Sequence, residues 1–131
     1  MVDAWRFTGT EPDPEGSVLF VDFELNGQPF QALNGGPLFT FTEAVSLVVE
    51  CRDQAEVDHY WDALLKDGGE PVQCGWLRDR YKLCWQVVPS GFAEYMRHPD
   101  RRRAGQAMAA MYGMIKFDVA ALEAAFNADP A

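Results

Sequence analysis

Apolar and polar positions alternate most cleanly between Leu19 and Leu25. Leu19, Val21, Phe23 and Leu25 share one parity, and Asp22 and Glu24 take the other. That period of two predicts a half-buried strand. Asn26-Gly27 follows, the dipeptide that supplies the positive φ angles of a two-residue hairpin turn, and Pro29 to Leu33 reads as the returning strand. The glycines of Asn34-Gly35-Gly36-Pro37 then permit a sharp reversal. Upstream, Asp3 to Thr8 predicts a short strand, joined to the longer one by the acidic, turn-rich Glu11-Pro12-Asp13-Pro14-Glu15-Gly16. A three-stranded antiparallel sheet is expected.

The second half changes character. Ala44 to Cys51 predicts a strand in which Val45, Leu47 and Val49 alternate with Ser46, Val48 and Glu50. Val48 makes its second face partly apolar, so cover on both sides is expected. Asp53 with Glu56 three positions on forms a capping box, which starts a helix running to about Lys66. Val57, Tyr60, Trp61 and Leu64 form its inward stripe, and Gly68-Gly69 ends it where a left-handed conformation is needed. Strands over Val72 to Leu77 and Leu83 to Val88 enclose a charged tip, Arg78-Asp79-Arg80-Tyr81-Lys82. The order strand, helix, antiparallel pair is a βαββ unit. Helices follow over Gly91 to Met96, about Pro99 to Met114, and Val119 to Asn127, the last capped by Asp118.

With 131 residues, 48% of them hydrophobic and 13% aromatic, the chain suits one compact domain with a real core. Its formal charge of -9 disfavours nucleic acid and anionic membrane partners. The single basic run, Arg101-Arg102-Arg103, reads as a solvated helix face. Cys51, Cys74 and Cys84 are odd in number and lack CxxC spacing, which argues against a disulfide framework or a zinc knuckle. Cys74 and Cys84 flank one hairpin and read as two buried thiols. No leader opens the chain and no apolar run approaches the roughly 20 residues that span a bilayer, so a soluble, cytoplasmic protein is expected.

LNGGP, EAVSLVVEC, EVDHYWDALLKDGG, CGWLRDRY, WQVVP and the tail AMAAMYGMIKFDVAALEAAF occur in this order. Together they resemble the PhnB-like family, also labelled 3-demethylubiquinone 3-methyltransferase-like, of the vicinal oxygen chelate (glyoxalase, bleomycin resistance and dioxygenase) superfamily. The resemblance implies an α+β fold of βαβββ-type modules curving around a central cavity, commonly in homodimers. On this pattern residues 1–36 are the remnant of a first, incomplete module, 44–90 a second module, and 91–131 C-terminal helices. Members usually carry a further strand and helix ahead of the strand matching Asp3 to Thr8, and their absence leaves one face of the strands around Phe20 and Phe23 for a partner chain to cover.

The label's chemistry is testable on the residues. A methyl donor usually needs a glycine-rich strand-to-helix loop, but Gly35-Gly36 precedes a proline and Gly68-Gly69 ends a helix, so methyl transfer is discounted. The superfamily's metal enzymes hold a divalent ion with His, Glu or Gln on cavity-facing strands. The two histidines, His59 on the crossover helix and His98 before Pro99, read as ordinary surface residues. Glu50 and Gln86 remain as weak candidate ligands, and Glu24 reads as solvent-facing.

Gln86 lies between Trp85 and Val87, and an amide among apolar neighbours must find a partner, either backbone or ligand. Trp76, Trp85, Gln86, Phe39, Phe41 and Tyr81 are therefore the candidate lining of a small-molecule cavity. The alternative for the aromatics is plain core. Met108, Met111 and Met114 follow helical spacing and are expected to pack against the sheet or a second chain. The expectation is a metal-free, small-molecule-binding homodimer without cofactor, and the alternative is a divalent-metal-dependent enzyme of the same superfamily.

Overall fold

The computed structural model describes residues 2–129, which form two compact units that divide between Thr40 and Phe41. In the first, β1 (Asp3–Arg6), β2 (Val18–Leu25) and β3 (Gln28–Leu33) make an antiparallel sheet in that order. Asn26 (φ 48°) and Gly27 (φ 81°) form the hairpin turn, and the Leu25–Gln28 pair closes on it. The register sets Ala4 against Val21, Val21 against Ala32 and Phe23 against Phe30, so the Leu19-to-Leu25 parity becomes one continuous apolar face. Phe23 and Phe30 stack there at 5.6 Å. Phe20 points the other way, tilted against Trp5, whose indole donates to Asp22. Phe20 and Phe23 thus lie on opposite faces.

The second unit begins with β4 (Leu47–Cys51), crosses over through α1 (Gln54–Leu65), and returns as β5 (Glu70–Pro71), β6 (Trp76–Arg78) and β7 (Cys84–Pro89). The sheet order is β4-β7-β6-β5, with β4 parallel to β7 and the other pairs antiparallel. Helices α2 (Phe92–Arg97), α3 (Arg101–Tyr112) and α4 (Val119–Asn127) follow. The core joins Cys51, Val57, Trp61, Leu77, Val87, Phe117 and Leu122, with Met111 and Met114 packed against it. No buried side chain among the described residues is polar or charged. None of the described helices is long and apolar enough to cross a membrane.

Several local features differ from the sequence expectations for identifiable reasons. The strand expected from Ala44 begins only at Leu47, because the preceding residues are drawn into side-chain bonds: Thr42 Oγ1 accepts from the Ala44 amide, and Glu43 pairs with Arg78. Val48, expected to be covered, is 57% exposed. Tyr60 turns outward from α1, leaving Val57 and Trp61 as its buried residues.

The strand expected from Val72 to Leu77 is broken. Cys74 (φ 59°) and Gly75 (φ 78°) are left-handed, and their amides donate to the Met114 and Ile115 carbonyls. A Cβ on Gly75 would lie 2.3 Å from the Phe117 ring, so the C-terminal segment fills the space that a side chain at 75 would need.

The caps follow the expected chemistry with one shift. Asp53 accepts from the Glu56 amide, but Glu56 reaches back to the amide of Arg52, one residue before the cap. Asp118 caps α4 through the Ala121 amide. The arginine triplet is not a merely solvated face. Arg101 donates to the Met96 carbonyl, Arg102 to that of Ala128, and Arg103 to that of Phe126 while lying over the Phe126 ring. Cations at α3's start thereby satisfy orphan carbonyls at the end of α4. The cysteines are free thiols; Cys51 and Cys84 are buried and Cys74 is half-buried.

Candidate functional site

Strand pleating sorts the second sheet into two faces. Leu47, Val49 and Cys51 on β4, Trp85 and Val87 on β7, and Leu77 on β6 share the face that meets the helical core. Val48 and Glu50, Cys84, Gln86 and Val88, and Trp76 and Arg78 share the other. Register places Val48, Gln86 and Trp76 in a single row across three adjacent strands. At about 4.8 Å per strand spacing the row is roughly 10 Å wide. Glu50 opposite Val88 forms the next row on one side. Cys84, Arg78 and Glu70 form the next row on the other.

Gln86 is half-buried in the middle of its row. Its Nε2 donates to Ser46 Oγ at 2.9 Å, and its Oε1 accepts from no described residue. The amide therefore finds a side-chain partner rather than backbone, and keeps one acceptor available. Trp76 is half-buried beside it. Glu50 is exposed and makes no ion pair with any described residue.

Arg78, by contrast, has both terminal nitrogens paired. Its Nη2 meets Glu43 at 2.8 Å and its Nη1 meets Glu70 at 3.1 Å, while its Nε is shut away from solvent without a partner. Lys82 adds a second cation to Glu70, and this pairing, led by the Lys82 hydrogen bond, holds the Glu70 carboxyl below the usual range.

The structure brings only part of the expected lining together. Trp76 and Gln86 are direct neighbours, and Glu50 shares their face. Trp85 lies on the opposite, helix-facing side, and its indole donates to Asp79 at 3.0 Å. Tyr81 is exposed at the hairpin tip, bonded to Arg80 and beneath its guanidinium. Phe41 is exposed ahead of β4, and Phe39, 86% exposed, belongs to the first unit. His59 is exposed on α1 against Tyr60, and His98 packs edge-on to Phe126. Glu24 is exposed on β2.

Asp79 is the residue that sequence reasoning missed. One carboxylate oxygen accepts from the Tyr81 and Leu83 amides and the other from Trp85. An Asp in a turn before a strand was the available signal.

Comparison with known proteins is consistent with this architecture. A family model described as 3-demethylubiquinone-9 3-methyltransferase matches residues 2–88. A solved structure from Bacillus cereus, titled a putative 3-demethylubiquinone-9 3-methyltransferase, PhnB protein, is 32% identical with TM-score 0.60, over 67% of this chain and 77% of its own. Protein PA1353 from Pseudomonas aeruginosa is similar in fold, at 17% identity and TM-score 0.52, over 68% of this chain and 77% of its own. No curated protein matches. The mixed α and β architecture with two sheets and helices fits a glyoxalase-like fold.

Proposed function

This chain belongs to the PhnB-like, 3-demethylubiquinone-9 3-methyltransferase family, and on that premise we propose that it is a metal-free small-molecule-binding module of the vicinal oxygen chelate fold, working as a homodimer. In this reading β4, α1 and β5 to β7 make one βαβββ module, and β1 to β3 contribute strands of another. The observation that carries the proposal is the Val48–Gln86–Trp76 row. It offers an aromatic surface, an apolar flank and one unfilled amide acceptor, the composition expected of a small-molecule site. In this reading Trp85 supports the strand from behind, and the exposed Phe41 and Tyr81 of the same unit are free to meet a bound ligand. Trp5, Phe20 and Leu33 share one row of the first sheet with Trp5 and Leu33 exposed, and that apolar row supports a second copy as its cover.

Methyl transfer is not part of the reading. Gly68-Gly69 closes α1 and Gly35-Gly36 runs into Pro37, so neither pair opens a helix onto a cofactor. The second reading, a divalent-metal enzyme, is favoured by one observation: Glu50 and Gln86 share a face on adjacent strands. They provide two oxygen donors, one of them a neutral amide, whereas a catalytic zinc site takes three protein ligands and leaves the open position to water or substrate. Among the described residues no group of three His, Cys, Asp or Glu side chains converges. We therefore favour the binding module over the metal enzyme.

Native mass spectrometry tests both. The proposal expects a dimer at twice the bare chain mass. One divalent ion retained per chain would overturn it in favour of the enzyme.

A further inference from the structure

We propose that this face selects planar aromatic ligands that carry a positive charge and an N–H donor, and rejects carboxylates. The inference rests on the small-molecule reading above and deepens it to a ligand class. Its basis is the charge layout around the Val48–Gln86–Trp76 row. An arginine beside an aromatic on a cavity face ordinarily suggests a carboxylate ligand, because its fork holds one bidentately. Here Arg78 has no fork to offer: Glu43 and Glu70 occupy its two terminal nitrogens, and its Nε is out of reach of solvent. Lys82 is likewise held by Glu70 at 2.5 Å.

The charge left over is Glu50, exposed and without an ion-pair partner among the described residues, in the row next to Gln86. Three attractions then converge on one ligand type. The Trp76 ring favours a flat cation over its π-face. Gln86 Oε1, with its Nε2 committed to Ser46, accepts from an N–H. Glu50 adds a carboxylate roughly 6 Å from a ligand centred on the row, diagonal across adjacent strands. The roughly 10 Å width of the row suits two or three fused rings.

A unit charge about 6 Å from a carboxylate in a water-exposed setting changes affinity about threefold, so matched cationic and anionic ligands should differ about tenfold. The test is isothermal titration of the full chain at low salt with three tricyclic probes: proflavine as cation, anthracenemethanol as neutral compound and anthracene carboxylate as anion. Proflavine should bind about tenfold more tightly than the carboxylate, with the neutral probe between. Glu50→Gln should bring that ratio toward one. Asp62→Asn, which removes an exposed charge on α1, should leave it unchanged.

Binding of the neutral probe reports the small-molecule reading alone. If it binds but the carboxylate equals or exceeds proflavine, or Glu50→Gln leaves the ratio intact, charge selection is overturned while the binding reading stands. If none of the three binds, both fall.

Discussion

Trp76 and Gln86 occupy the same register position on β6 and β7, side by side on the face turned away from the helical core. The relationship separates two roles that sequence reasoning merged, because Trp85, one residue before Gln86, lies on the opposite face with its indole tied to Asp79. Stability and ligand contact should therefore respond to different substitutions.

Gln86→Ala removes one hydrogen bond, to Ser46, from a half-buried site. Chemical denaturation should show a loss of about 1 kcal/mol or less. Binding of a planar ligand should weaken by more than that loss accounts for.

Asp79→Ala should behave in the reverse manner. It strips the partner from two backbone amides and an indole at once. The expected cost is about 2 to 3 kcal/mol in urea unfolding, with the tip around Tyr81 exchanging amide protons faster.

Gly75→Ala tests the broken strand. The new methyl would meet the Phe117 ring at 2.3 Å and the Val87 carbonyl at 2.9 Å, in a backbone conformation of positive φ. A loss of about 3 kcal/mol or more is expected, read as a lowered melting temperature. Gly91→Ala, where an added Cβ meets nothing within 4 Å, is the control and should be near neutral.

Thiol chemistry should be graded by burial. Burial first, then the Glu56 and Asp53 carboxylates, pushes the Cys51 thiol up to about 11. At pH 8 the native protein should be alkylated at half-buried Cys74, with Cys51 and Cys84 labelled only on unfolding, as peptide mass mapping will show.

Acid should weaken the fold through its paired carboxylates. The Lys116 hydrogen bond, then that of Gln54, lowers the Asp58 carboxyl, and the Arg103 and Arg102 amides lower that of Asp100. A depressed carboxylate stabilises above its unfolded value, and that contribution is lost as pH falls through the folded one. Stability should thus decline from roughly pH 4.5 downward. Asp58→Asn should shallow the decline and leave little further pH dependence of its own.

Much of the fold was legible because it rests on local rules. The Leu19-to-Leu25 alternation, the Asn26-Gly27 turn, the Asp53 and Asp118 caps and the α4 limits all appear in the structure. What escaped depended on distant partners. The break at Cys74-Gly75 answers to Phe117, Met114 and Ile115, some forty residues on, and the late start of β4 answers to Arg78.

The candidate site was legible in residue type and not in orientation. Adjacent Trp85 and Gln86 must face opposite ways on a pleated strand, and only the pairing with Leu77 and Trp76 shows which one meets the core.

The central claim is that the Val48–Gln86–Trp76 row holds a small molecule. Its most direct test is the amide and indole NMR spectrum of the chain titrated with anthracenemethanol. The account predicts shifts concentrated on the Gln86 side-chain amide, the Trp76 indole and the Val48 amide, with the Trp61 indole unmoved in the core. Shifts confined to the outer side of α1 around Arg52, Glu56, His59 and Tyr60, or no shifts at all, would contradict it.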